Sequence, residues 1–244
     1  MQKTKLLYIA QFHETCGYSH AAIGYLKCLD HVSEKNKNID IKVVSISLDP
    51  KKLDKSFHTN KTEKKTLDLI DKYHIKDQKE LDTLLNSDYK CLWHMTSVVP
   101  IIVKNHQLNF YYRNLNLDLE KTILGSQENY HILAWETDNL CQEYKSIIKN
   151  YKPSKVFAPS DWNKKTFSKF TESITVPHLI DLQEKETEKV ALPCDLEDKF
   201  VALSVSEWTN RKNFKTLIKS FILEFYDSEE AVLIIKSTLP ANIS

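Results

Sequence analysis

Glycine is nearly missing from this chain: three residues in 244, Gly17, Gly24 and Gly125. No G-x-G-x-x-G occurs, so the dinucleotide fingerprint is absent, and each of the three glycines raises a question of local geometry. Arginine is as scarce, with Arg113 and Arg211 the only two among 34 Lys+Arg. The five cysteines are odd in number and scattered, with no C-x-x-C. That pattern reads as reduced thiols, neither a disulfide frame nor a zinc site. His13 and Glu14 are adjacent, yet no H-E-x-x-H follows, and the nine histidines show no ligand spacing, so no metal site is expected. No apolar run approaches a membrane span, and the start MQKTKLLYIAQF has no secretory-signal pattern. A formal net charge of +1 makes no field that would gather nucleic acid or an anionic membrane. No solenoid repeat is visible. The expected compartment is the cytoplasm.

What is present is ordinary globular material, 41% hydrophobic and 27% charged, long enough for one large or two smaller domains. The chain is organised around Ser206–Phe225. Phe214, Leu217, Ile218, Phe221 and Phe225 form a helical apolar stripe, with Asn213 at the N-cap position. Phe200–Val205 before it and Ala231–Ile235 after it read as buried strands, giving a βαβ unit. Arg211 and Lys212 sit at the helix start, where unpaired N–H groups and the helix dipole favour anions. In so lysine-biased a sequence, an arginine there suits bidentate phosphate contact; a solvated basic turn is the plainer reading.

The chain also begins as strand, loop and helix. Lys5–Ala10 runs into a loop containing Gly17, then a helix with Ala22, Ile23, Leu26, Leu29 and Val32 near one face, then a strand at Ile39–Leu48. The loop after a first strand is where doubly wound sheets bind phosphates. Residues 50–88 read as lysine-rich helices over a solvated face. Tyr89–Met95 reads as a strand ending at His94, either an acceptor-pocket residue or a satisfied core histidine, and an apolar segment starts at Val98–Pro100. Tyr130–Ala134 is a strand leading into Trp135-Glu136-Thr137-Asp138, two carboxylates two apart where a parallel sheet exposes its strand ends. Asp138 also fits a helix cap ahead of residues 139–149. Then come a strand at 153–160 closing with the N-cap Ser160, a helix at 161–170, a short strand at 174–178, and an aperiodic charged linker.

Four of these pieces, in this order, resemble the retaining GT-B glycosyltransferases of family four. They are the Gly17 loop, the W-E-T-D line at Trp135–Asp138, the P-S…V-P-H-L-I-D run at 159–181, and the W-x-x-R-K-N loop at Trp208–Asn213 with Lys236 ending the next strand. The resemblance covers most of residues 1–240. It implies a GT-B-like α/β fold, with a Rossmann-like N-terminal acceptor-side domain at 1–182, a linker at 183–198, and a truncated second Rossmann-like domain at 199–244. That last segment would be the incomplete start of the nucleotide-sugar-binding domain. No E-x7-E follows Lys236, and Ser206 stands where some members carry a further arginine.

On this resemblance Gly17, Arg211 and Lys212 would meet the donor's diphosphate. Glu136 would act near the reacting sugar carbon with Asp138 beside it, and His94 would line the acceptor pocket. The implied activity is transfer of a sugar from a nucleotide-sugar donor to an acceptor that can be sugar, lipid, protein or modified nucleic acid. Retention of configuration is implied, and no cofactor or metal is expected, the nucleotide-sugar being substrate; no D-x-D triplet occurs. The rivals are a GT-B-like nucleotide-sugar epimerase and a non-catalytic sugar- or nucleotide-binding module. Residues 1–244 alone are expected not to transfer sugar.

Overall fold

The structure, a computed structural model, describes residues 3–13, 16–47, 61–95, 109–110, 115–179, 192 and 196–237. The chain divides into two compact units, Met1–Leu182 and Gln183–Ser244. The apolar segment expected at Val98–Pro100 lies outside the described residues, as does most of the expected linker.

The first unit is an α/β layer structure of Rossmann-like kind. Its strands are β1 (Thr4–Ala10), β2 (Ile39–Ser47), β3 (Lys90–His94), β4 (Asn109–Phe110), β5 (Glu128–Ile132), β6 (Lys155–Ala158) and β7 (Ser173–Thr175). They form one sheet in the order β4-β2-β1-β3-β5-β6-β7. Six strands run parallel, and only β4, at one edge, is antiparallel. The helices are α1 (Gly17–Asn36), α2 (Lys61–Tyr73), α3 (Gln78–Leu85), α4 (Leu119–Leu124), α5 (Gln142–Tyr151) and α6 (Asp161–Phe167).

Both faces of the sheet are covered, which is why its central strands are continuous apolar runs rather than alternating ones. Side chains still alternate between faces. Tyr8, Ala10 and Leu92 pack with Ala22 and Leu26 of α1 and Ile70 of α2. Leu7, Ile9, Cys91 and Trp93 pack with Leu81, Ile123, Tyr144 and Phe167 of α3, α4, α5 and α6. Of the stripe expected on α1, Ala22, Ile23 and Leu26 are buried, whereas Val32 is exposed because that end of the helix runs past the core.

The outer edge of β2 has its own partners. Val43 O accepts from Ile75 N at 3.0 Å, and Ser45 N donates to His74 Nε2 at 3.3 Å. Ile46 and Ser47 pair with β4. His74 can accept at Nε2 because its Nδ1 carries the proton, donated to Ile75 O at 2.7 Å.

The second unit, by itself, is strand, turn, helix, strand. Strand β8 (Phe200–Val205) pairs in parallel with β9 (Ala231–Lys236), from Phe200↔Ala231 to Val205↔Lys236. Between them lie a 3-10 turn, Asn210–Lys212, and helix α7 (Phe214–Glu224). Phe214 is buried, its ring stacked on Trp208 with centroids 4.4 Å apart, and Phe225 meets both Phe200 and Phe221. Val201, Leu203 and Val205, which share one face of β8, are exposed.

Candidate functional site

In the parallel part of the sheet the chain moves outward from β1 to β2 in one direction and from β3 through β7 in the other. The reversal between β1 and β3 is where a parallel sheet leaves a crevice beyond its carboxyl ends. Ala10 of β1 is in register with His94 of β3, so His94 stands on the rim of that crevice.

His94 is buried, 2% exposed, and its Nδ1 lies 3.1 Å from the Tyr8 hydroxyl. That hydroxyl also reaches Ala22 O of α1 at 3.4 Å. The Tyr8 hydroxyl thus stands between the imidazole and that carbonyl and fixes the ring at Nδ1. Three tyrosine rings surround it: Tyr18 and Tyr25 at 5.7 Å between centroids, and Tyr8 parallel to it at 6.5 Å. Burial, with nearby His178 adding, pushes its pKa down to about 3, so the ring is neutral at physiological pH.

Helix α1 begins at the same rim. Its cap residue, Cys16, is extended and makes no side-chain cap bond, and no acidic residue occupies the first turn. The Cys16 side chain thus caps none of the first N–H groups, which carry the positive end of a 20-residue helix. Gly17 has no positive φ, and a Cβ added there would meet nothing within 4 Å. Neither backbone conformation nor packing requires glycine at this position; its smallness leaves room in front of the helix. The Ser19 hydroxyl donates to Gln11 O, tying the first turn to the end of β1.

Glu136 and Asp138 lie four and six residues beyond β5, in a turn and not at a strand end. Asp138 is no helix cap: α5 begins at Gln142 with Cys141 at its cap. The turn folds on Trp135 instead. Its indole N–H reaches Thr137 Oγ1 at 2.8 Å and Asn139 O at 3.0 Å, and its ring stacks on Tyr144. Lys169 Nζ donates to Asp138 O at 3.3 Å. The Glu136 side chain is exposed. Tyr18 connects it to the rest of the rim: burial raises the phenol's pKa, and the negative charge of Glu136 raises it further.

The residues that sequence reading missed are aromatic or amide groups. His131 of β5 is fully buried, stacked on Trp93, with Nε2 donating to Met95 O at 3.4 Å and Nδ1 accepting from the Tyr144 hydroxyl at 2.6 Å. Tyr25 donates to Val176 O at 2.8 Å and receives His178 Nδ1 at 3.1 Å, anchoring the segment after β7 to α1. Nothing in the local pattern around these residues marks such contacts, which span 13 to 153 positions of sequence.

In the second unit Arg211 and Lys212 occupy the exposed 3-10 turn. Asn213 stands just before α7, but in the left-handed conformation (φ 52°) and without a side-chain cap. Its Oδ1 accepts from Thr216 Oγ1 at 2.9 Å. Asparagine is among the few residues that enter this conformation readily, and doing so aims its side chain away from the helix N–H groups.

Among the described residues no group of His, Cys, Asp and Glu could hold a metal ion, and no helix is long and apolar enough to cross a membrane. The chain matches no protein-family model and no curated protein.

Proposed function

We propose that this chain belongs to a nucleotide-sugar glycosyltransferase of the GT-B kind, with the Rossmann-like first unit on the acceptor side. The observation that carries the reading is the meeting, beyond the carboxyl ends of β1, β3 and β5, of three things. These are a long helix start left open by Gly17, a buried neutral His94 whose ring lies 5.7 Å from that of Tyr18, and the exposed carboxylate of Glu136, whose charge raises the pKa of the Tyr18 phenol.

Each suits a part of the chemistry. The start of α1, with no acidic side chain in its first turn, attracts the charge of a donor phosphate. Glu136 lies where a carboxylate can take the acceptor's proton or face the sugar carbon as the glycosidic bond breaks. His94, held at Nδ1 by Tyr8, lines the acceptor side of the rim. Arg211 and Lys212 supply cations for the leaving diphosphate, and Asp138 stays a neighbour of the acid rather than a second one. Retention of configuration and independence from metal belong to this proposal.

The test is direct. Donor binding is titrated with UDP-, GDP- and dTDP-linked sugars, and nucleotide release with and without glycan acceptors is followed on a form of the protein that transfers sugar. Binding of one donor at micromolar to millimolar level, weakened by Lys212→Ala, is the expected result. No binding by any donor overturns the reading, and conversion of donor to its epimer without acceptor replaces it with an epimerase.

A further inference from the structure

The structure assigns Asn163 as the residue that positions Glu136, an inference that rests on the reading of Glu136 as the reacting acid. Strands β5 and β6 pair in parallel as far as Ile132↔Phe157, with Leu133 N donating to Phe157 O at 3.2 Å. One residue after β6 comes Pro159, which has no N–H with which to continue the ladder. The backbone of β5 nevertheless stays held for two residues more, by a side chain. Asn163 Oδ1 accepts from Trp135 N at 3.0 Å, and Asn163 Nδ2 donates to Trp135 O at 2.8 Å. A carboxamide thus takes the place of a peptide group and satisfies both polar groups of the residue that precedes Glu136.

The carboxamide is itself fixed. Asn163 is 5% exposed and lies in the first turn of α6, where the Ser160 hydroxyl caps its backbone N–H at 3.2 Å. The other end of the turn is held by the Trp135 indole bonds described above. Together these leave the backbone of Glu136 little freedom. Proton transfer and close attack require heavy atoms within roughly 3 Å, and a misplacement of about 1 Å costs on the order of a hundredfold in rate.

Among side chains of this length, only the carboxamide sets a donor beside an acceptor without ionising. Aspartate retains the acceptor for Trp135 N–H, but when ionised it sets a second oxygen against Trp135 O. When protonated it regains a donor. Burial and that facing carbonyl favour the neutral acid, so an aspartate here titrates above the ordinary carboxylate range.

The experiment uses the whole chain with Asn163→Asp and Asn163→Leu. Two readouts are independent of turnover: the hydrogen-exchange protection factor of the Trp135 amide, and the NMR titration of the Tyr18 phenol, which senses the Glu136 charge. In Asn163→Asp, protection at Trp135 is expected to match the parent at pH 5 and to fall at least about tenfold by pH 8, while the parent stays level. In Asn163→Leu, the Tyr18 titration is expected to move toward that seen in Glu136→Gln. Parent-like protection at every pH in Asn163→Asp overturns the assignment. So does a parent-like Tyr18 titration in a folded Asn163→Leu protein. A donor-transfer assay on a form of the protein that transfers sugar separates the two claims: full turnover by Glu136→Gln removes the acid's role, whereas undiminished turnover by a loosened Asn163 variant removes the need for positioning.

Discussion

Trp93 and His131 are register partners on adjacent parallel strands, and their rings lie face to face, centroids 3.5 Å apart and planes 8° from parallel. A histidine stacked in this way, donating to a carbonyl and accepting from Tyr144, has a use for each nitrogen only while it is neutral. Burial holds its pKa down at about 3.

Stability should therefore fall in acid. His74, His94 and His131 all have folded-state pKa values below the ordinary value, burial being the largest cause for each. Below about pH 6.5 the unfolded chain binds protons that the folded chain refuses, so the stabilisation present above that pH is lost as pH falls. Each histidine contributes a slope of about 1.4 kcal/mol per pH unit until its folded pKa is reached. Urea unfolding between pH 7 and pH 4.5 reads this directly. His131→Phe should flatten the acid limb, and an unchanged slope would remove His131 from the account.

Glu136→Gln should cut turnover by about a hundredfold or more while leaving donor affinity near the parent value, the pattern of a group that acts chiefly in the transition state. Steady-state kinetics check it, on a form of the protein that transfers sugar and with its true acceptor. A rise in donor Kd with unchanged kcat would make Glu136 a binding residue.

Gly17→Ala and Gly24→Ala should part company. At Gly17 a methyl meets open space, so stability should change by less than about 0.5 kcal/mol while donor binding weakens. At Gly24 it would come within 3.2 Å of Leu179 Cβ and 3.3 Å of Leu179 O, pressing the segment that carries His178 away from α1. Overpacking of this kind costs about 1–3 kcal/mol, against a helix-propensity gain of about 1. Thermal melts of the two variants, with donor titration of the first, decide the matter.

Lys212→Ala should remove one charge-assisted contact to a diphosphate, worth about 1.5–3 kcal/mol, or roughly tenfold to a hundredfold in affinity. Arg211→Lys should also weaken binding, since an ammonium cannot make the paired contact of a guanidinium. Calorimetric titration with a nucleoside diphosphate measures both, and unchanged affinity in both variants would leave the turn a solvated basic corner.

Amide exchange should be faster in β8 and β9 than in β1. Phe214 is the one fully buried hydrophobic side chain among the described residues of the second unit, whereas β1 alone contributes four, Leu7 to Ala10. Few buried contacts give a low opening energy. Equal protection in Leu203 and Ile9 would contradict it.

Strands announced themselves where the apolar run was local. The runs at Lys5–Ala10, Tyr89–Met95 and Phe200–Val205 show it, as does the Ser160 cap, whose partner lies three residues away. What stayed hidden depends on distant partners. The turn at Trp135 is built by an amide 28 positions downstream, and β4 is a two-residue strand with no pattern of its own. Asn213 does hold the N-cap position, but asparagine serves both as a capping and as a left-handed residue, and here it is left-handed with no side-chain cap bond, which sequence does not say. Of the candidate residues, His94 was legible as the end of β3, but the tyrosines around it and the amide that holds Trp135 were not.

The neutral imidazole of His74 has a consequence for how the protein fails. It fills one acceptor position on the outer edge of β2, beside groups already bound by Ile75 and β4. An edge whose amides are occupied offers no template to the strand of another molecule. Once acid places a second proton on that ring, Nε2 turns from acceptor to donor and faces the Ser45 N–H it used to receive. The rim then opens at its middle, next to Val43 and Val44. Protein acidified below the lowered pKa of His74 should thus cluster into β-rich assemblies before it has fully unfolded, with β2 as the seam.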